Sequence, residues 1–249
     1  MKLQDKNTIV TGGASGFGAG IVARFLEEGA NVTIVDFDET AALACVESLK
    51  SDRVQFEYAD LADGKSVAEL FDRLQTRWSR LDVLVNNAGT THLPALLEDV
   101  SEKDFDKVFA VNAKSVYYTS KFAVPWMKQQ AAGAIVNIAS TAALSPRPHL
   151  TWYNASKGWM VTATKSMAIE LASERIRVNA ICPVAGETPL LASFMGSDTP
   201  ETREKFLSSI PLGRFSTPKD IAATALYLAS DEAAMITGVA LEVDGGRCI

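Results

Sequence analysis

Short runs of β-branched and apolar residues alternate along the chain with longer stretches in which apolar positions recur at helical spacing. Seven segments read as strands: Asn7 to Thr11, Asn31 to Val35, Val54 to Tyr58, Val83 to Asn86, Ala134 to Ala139, Arg177 to Ile181 and Val239 to Val243. Several of them, Val32-Thr33-Ile34-Val35 and Ile135-Val136-Asn137-Ile138 among them, lack the period-two alternation of a half-exposed strand. Buried parallel strands covered by helices on both faces carry such near-continuous runs. Six helical stretches fill the gaps: Phe17 to Glu28, Glu39 to Leu49, Gly64 to Arg77, Glu102 to Lys128, Tyr153 to Ser173 and Pro218 to Leu228. Asp38 and Ser101 stand as N-caps, and Thr217-Pro218 puts proline at a first helical position. This rhythm predicts an α/β fold, a Rossmann-like doubly wound parallel seven-stranded sheet in an α/β/α sandwich. Residues 184–216 show no strand pattern, are rich in Met, Phe, Leu, Ser and Thr, and are expected to form a mobile substrate lid with short helices.

Composition narrows the class. A chain of 249 residues with 47% hydrophobic and 22% charged residues suits one large domain, and no linker, low-complexity tract or fixed-period repeat divides residues 1–249. A net charge of −6 argues against a nucleic-acid surface, which needs clustered Lys and Arg. The N-terminus lacks the apolar core of a signal peptide, and no apolar run is long enough to span a membrane. Cys45, Cys182 and Cys248 are odd in number and without metal-ligand spacing, so no metal is expected and a reduced cytoplasm fits best. Of the three, Cys182 is the one whose position makes its reactivity of interest.

The turn Thr11-Gly12-Gly13-Ala14-Ser15-Gly16-Phe17-Gly18 follows the first strand and opens the first helix. Glycines there let the backbone approach a ligand closely, and the free N–H groups and positive helix end attract a pyrophosphate. The next strand ends in Asp36, whose carboxylate accepts hydrogen bonds from ribose hydroxyls and repels a 2′-phosphate, which points to NAD rather than NADP. Neither Ala14 nor Phe37 offers a cation for an extra phosphate. Asp60-Leu61 and Asn86-Asn87-Ala88-Gly89 end the third and fourth strands, at the sheet edge where ligands bind.

Tyr153 and Lys157 are four positions apart and share one face of a helix. An ammonium beside a phenol stabilises the phenolate, and at ~4 Å with an effective dielectric near 20 the attraction is roughly 4 kcal/mol, enough to bring proton transfer near neutral pH before desolvation is counted. Ser140, at a strand end, is close enough in sequence for its loop to fold toward the same pocket. A phenol and a hydroxyl aimed at one oxygen stabilise the charge that develops there when a hydride leaves or reaches the adjoining carbon.

Taken together, Gly12/Gly16/Gly18, Asp36, Asp60, Asn86 to Gly89, Asn112, Ser140, Tyr153 and Lys157 resemble the short-chain dehydrogenase/reductase family, in its compact single-domain branch, over essentially the whole chain. The resemblance implies that Tyr153 is the acid/base, that Ser140 bonds the same substrate oxygen, that Lys157 binds the nicotinamide ribose and lowers the tyrosine pKa, and that Asn112 holds a relay water. It implies cofactor contacts at Gly12, Ser15, Gly16, Phe17, Gly18, Asp36, Phe37, Asp60, Leu61, Asn87, Ala88, Gly89, Pro183 and Thr188. The chain departs from the family in Pro183-Val184-Ala185-Gly186-Glu187-Thr188, where Val184 replaces the usual glycine and Gly186 stands where a branched residue is common. Thr90-Thr91-His92, Thr151-Trp152-Tyr153, Gly186-Glu187-Thr188 and the ending Val243 to Arg247 look like those of aryl and cyclic alcohol dehydrogenases in the family. That resemblance implies substrate contacts at His92, Trp152, Gly186 and Met195.

The expectation is therefore an NAD-dependent homotetrameric oxidoreductase of a small alcohol or carbonyl compound, aromatic or cyclic. A sugar dehydrogenase is the competing substrate class. Acyl-carrier reductases of the family generally use NADPH, which Asp36 disfavours. A non-catalytic dinucleotide sensor would be free to lose the acid/base residues, and nucleotide-sugar chemistry would want another glycine spacing and a further domain.

Overall fold

Which helix layer a strand residue meets is decided by its place in the two-residue alternation. The computed structural model describes residues 1–249, with strands β1 (Asn7–Thr11), β2 (Asn31–Asp36), β3 (Val54–Tyr58), β4 (Val83–Asn86), β5 (Gly133–Ile138), β6 (Ile176–Pro183) and β7 (Ala240–Val243). All pair in parallel, in the order β3-β2-β1-β4-β5-β6-β7. Val10, Ile34, Val85 and Val136 point to a core closed by Ile21 and Phe25 of α1 (Gly16–Glu27), Ala42 of α2 (Glu39–Leu49) and Ile221 and Leu226 of α9 (Pro218–Ala229). Their neighbours Ile9, Leu84, Ile135 and Val178 point the other way, against Leu70 and Phe71 of α3 (Gly64–Arg77), Met127 of α5 (Ser115–Gln129) and Leu171 of α6 (Thr151–Leu171). Both sheet faces are buried, which is why the strands read as apolar runs. The expected doubly wound sandwich is thus the observed fold, in one domain, with strand ends within two residues of those read from the sequence.

The caps act as expected. The Asp38 carboxylate accepts from Ala41 N at 3.0 Å, the Ser101 hydroxyl accepts from Asp104 N at 3.1 Å, and Thr217 and Asp220 form a reciprocal capping box.

The stretch expected as one helix, Glu102 to Lys128, is not uniform. Regular helix runs through α4 (Glu102–Phe109), gives way to a wider π turn at Ala110–Lys114, and resumes as α5. Periodicity does not reveal such a turn, because one wide turn shifts the apolar face without erasing it. Its cause is tertiary: Asn112 is drawn out of the regular ladder toward the end of β4.

Residues 184–216 carry two short helices, α7 (Leu191–Met195) and α8 (Pro200–Leu207). Val184, Leu191, Met195, Ile210 and Phe215 form their own apolar cluster, and an isolated parallel bridge joins Gly186 to Ser216. No helix is long and apolar enough to cross a membrane.

Candidate active site

The strand order reverses between β1 and β4, and there the two loops that leave their carboxyl ends must part. A cavity of about 640 Å³ opens over this point and runs along the strand ends.

At one end lie Gly12, Ser15, Gly16 and Phe17 of the glycine turn. Gly12 has φ +60°, and a Cβ there would meet Ala88 Cα at 2.9 Å, so only glycine lets the turn seat against the end of β4. Asn87 fastens the two together, its amide donating to Thr11 O at 3.0 Å and Gly12 O at 2.9 Å. Gly18 does not line the cavity; a side chain there would overlap the Gly12 carbonyl, so its part is to let α1 pack on the turn. Asp36, Phe37, Asp60 and Leu61 line the same end. Asp36 accepts from Ala14 N at 3.2 Å and Phe37 N at 2.9 Å, which orients its carboxylate.

Farther along, Ser140, Tyr153 and Lys157 line the wall with Ala88 and Gly89. The three are brought there by β5, which ends two residues before Ser140, and by the first turns of α6. Tyr153 is buried and its ring stands edge-on to Phe194, centroids 4.9 Å apart. Burial pushes its pKa up to about 12; the hydrogen bond with Ser140 pulls down, and Cys182 pushes further up. Burial likewise brings Lys157 down to about 8, with the Cys182 thiol opposing. The expected lowering of the phenol by Lys157 is therefore not realised in the protein alone. Burial is the leading cause for the phenol, Lys157 is not among the groups that shift it, and the ammonium donates to Ile138 O at 2.8 Å.

Asn112 is fully buried, and its side chain is spent on the protein. Oδ1 accepts from Thr90 N at 2.8 Å, while Nδ2 donates to Thr90 O and Ser156 Oγ, both at 2.9 Å. The side chain thus clamps the segment after Gly89 onto α6.

Pro183, Gly186 and Thr188 line the cavity beside the glycine turn. A side chain at Gly186 would run into the Phe17 ring and come within 2.8 Å of Ser216 Oγ. The atypical glycine is explained by this packing: the large ring of Phe17 takes up the volume that a branched side chain at residue 186 would fill.

Three expected substrate residues do not reach the cavity. His92 is buried with Nδ1 bonded to Leu93 O at 2.7 Å, Trp152 packs on Phe105 and donates to Leu97 O at 3.2 Å, and Met195 lies in the apolar cluster of residues 184–216. The Tyr153 end is lined instead by Ala142, Arg147, Leu150, Asn154, Phe194 and Phe206. No motif marks these positions, since they come from three separate segments that only the fold assembles. Cys182 is wholly buried with its thiol pushed up to about 11 by burial, so it is not a reactive thiol.

Behind the site runs a polar network through the core. Asn86 Nδ2 donates to Asn137 Oδ1 at 2.8 Å, Asn137 Nδ2 to Thr164 Oγ1 at 2.9 Å, and Thr119 Oγ1 to Asn86 Oδ1 at 2.7 Å. Asn137 interrupts an apolar strand run, and that break was the signal available in the sequence.

A glycine-turned dinucleotide fold with a hydroxyl, a phenol and an ammonium on one cavity wall defines an oxidoreductase class. A family model described as enoyl-(acyl carrier protein) reductase matches residues 12–247. The chain is 45% identical over 254 residues to 4-formylbenzenesulfonate dehydrogenase of Comamonas testosteroni, covering 100% of both, and 38% identical over 252 residues to a 3-oxoacyl-[acyl-carrier-protein] reductase of Thermotoga maritima, again covering 100% of both. A crystal structure of 3-ketoacyl-(acyl-carrier-protein) reductase from Brucella melitensis complexed with NADH superposes with TM-score 0.94 at 44% identity, over 99% of this chain and 100% of that one. The chain belongs to the short-chain dehydrogenase/reductase family. It is an oxidoreductase that acts on alcohol or carbonyl groups.

Proposed function

We propose that this enzyme uses NAD to interconvert an aromatic or cyclic alcohol and its carbonyl compound, with Tyr153 as general acid/base. The observation that carries this is the placement of Ser140, Tyr153 and Lys157 on the wall of a cavity that continues to the glycine turn and Asp36. The residues fit the dinucleotide: Gly12 leaves a cradle that a Cβ would fill, and the cations lining the cavity are Lys107, Arg147 and Lys157, none of them in the glycine turn or beside Asp36. Gly12, Ser15 and Gly16 would hold the pyrophosphate, Asp36 the adenosine ribose, Lys157 the nicotinamide ribose, and Pro183 and Thr188 the carboxamide. When bound, the nicotinamide takes up or supplies the hydride.

The chain's own residues handle the proton. In reduction the Tyr153 hydroxyl donates to the oxygen as negative charge grows on it, with the Ser140 hydroxyl bonding the same atom; in oxidation the phenolate removes the alcohol proton. The Asn112 clamp holds Thr90 and α6 in register, and the burial of Tyr153 keeps bulk water from its proton.

The aromatic preference is supported by the apolar lining from Leu150, Phe194 and Phe206 and by the name of the Comamonas relative, an aromatic aldehyde dehydrogenase. A 3-oxoacyl thioester reductase is the second reading, favoured by the relatives from Thermotoga and Brucella. Residues 184–216, whose two ends are bridged to each other through Gly186 and Ser216, are proposed as the substrate lid. Three free cysteines suit a reducing compartment.

Initial rates with NAD and NADP over aryl alcohols, cyclic alcohols, sugars and acetoacetyl thioesters test the proposal. Faster turnover of aryl or cyclic alcohols with NAD is expected. Equal rates with NADP would remove the Asp36 argument, and preference for a thioester would move the substrate to the second reading.

A further inference from the structure

Beyond Ser140, Asn154 and Lys157, the lining at the Tyr153 end is formed by the apolar Ala142, Leu150, Phe194 and Phe206 and by one further charged side chain, Arg147. Most arginines of this chain sit against carboxylates, as Arg53 does on Asp5 and Arg214 on Asp220, and Arg177 is spent on four backbone carbonyls. Arg147 has neither kind of partner. The one hydrogen bond of its side chain is from Nη2 to Ser209 Oγ at 2.9 Å, and its Cζ lies over the Phe206 ring, 4.5 Å from the centroid. A cation–π contact and one hydrogen bond leave most of the N–H donors of the guanidinium without a partner in the chain, and such donors can receive an oxyanion through two parallel bonds.

A second uncompensated guanidinium stands close by. Arg247 is half-buried, bonds only Ser145 through Oγ at 2.8 Å and O at 3.3 Å, and keeps its Nε buried without a partner. Burial first, then the charge of Arg247, hold the Arg147 pKa below its usual value. The carboxylates that line the cavity, Asp36 and Asp60, belong to the glycine-turn end. An anion delivered by the substrate would supply what the chain does not.

We propose that Arg147 selects the substrate, its free guanidinium edge receiving the carboxylate or sulfonate of an alcohol or aldehyde whose apolar body occupies the space toward Tyr153. This rests on the proposed alcohol–carbonyl chemistry at Tyr153 and names the substrate class within it.

The test compares 4-formylbenzoate and benzenesulfonate-type aldehydes with the neutral 4-methylbenzaldehyde in wild type, Arg147→Leu and Arg147→Lys. Wild type is expected to prefer the anions in kcat/KM. With NADH as the hydride donor, Arg147→Leu is expected to raise KM for the anions about 10- to 100-fold, the range for a lost charge-assisted pair, while kcat/KM for the neutral aldehyde and the KM for NADH change about twofold or less. Arg147→Lys should recover part of the loss. Calorimetric titration of the NAD-loaded protein with benzoate reads the same site without turnover. Arg147-dependent benzoate binding with no turnover of any aldehyde would remove the Tyr153 chemistry and keep the anion site. Equal losses for neutral and anionic aldehydes, a wild type indifferent to the charge, or benzoate binding unchanged in Arg147→Leu would each overturn the inference. So would a change of oligomeric state in Arg147→Leu, since the guanidinium would then be serving a carboxylate of a second copy.

Discussion

Tyr153 is where elementary electrostatics and the fold disagree most usefully. Helical spacing places Lys157 on the same face, but burial dominates both groups, so the phenol is protonated at neutral pH and poised as an acid. Oxidation needs the phenolate, whose fraction grows tenfold per pH unit below the pKa. We therefore expect kcat/KM for an alcohol to climb between about pH 6 and pH 9, while aldehyde reduction stays nearly level over that range. A decline in the oxidation profile would contradict the role of the phenol. Tyr153→Phe should keep NAD affinity by fluorescence titration and lose about 10²- to 10⁴-fold in kcat, because no other transferable proton stands at that position. Lys157 makes a stability prediction with a definite sign. Its folded pKa lies below its unfolded one, so the native state binds fewer protons between about 8 and the ordinary lysine value, and stability gains from this group as pH rises through that window. Urea unfolding of wild type and Lys157→Met at several pH values should show wild type gaining on the variant from neutral to alkaline pH. Asp36→Ala, combined with an arginine at Phe37, should move preference toward NADP in a kcat/KM comparison, since it exchanges a repelling charge for an attracting one. Tyr153, Ser140, Lys157 and Asp36 were legible as chemistry because residue type and spacing carry it. Arg147 and Phe206 were not, because an arginine in a loop and a phenylalanine in a short helix look alike whether they face solvent or a cavity.

Among elements, strands and helices followed from periodicity, caps and turn residues, and the departures are informative. The π turn at Ala110–Lys114 exists because Asn112 must reach Thr90 and Ser156, and neither partner is near it in sequence. Phe17 and Gly186 show the same dependence in packing. Gly186 is unusual in its motif, and its close contact with the Phe17 ring makes the one the condition of the other. Gly186→Val should overpack this contact, costing roughly 1–3 kcal/mol and lowering Tm by several degrees with a loss of NAD affinity, whereas Phe17→Ala in the same chain should restore much of both. Thermal unfolding with and without NAD checks this, and an unchanged Tm in Gly186→Val would mean that the loop moves freely away from α1.

For the whole molecule, the exposed apolar side chains Tyr117 on α5 and Trp159 and Ile169 on α6 favour association, and we propose a homotetramer that buries these helices. Sedimentation equilibrium should give four chains for wild type and fewer for Ile169→Glu, with a monomeric wild type removing the proposal. The sequence alone determined the parallel sheet, its helix layers and the residues able to move a proton or turn toward a dinucleotide, because these depend on local periodicity and on residue chemistry at short spacing. Tertiary structure decided how deeply Tyr153 and Lys157 are desolvated, that His92, Trp152 and Met195 pack away from the cavity, and that Arg147 enters it without a counter-charge. Burial and charge compensation are properties of what surrounds a group, and those surroundings come from segments far apart in the chain.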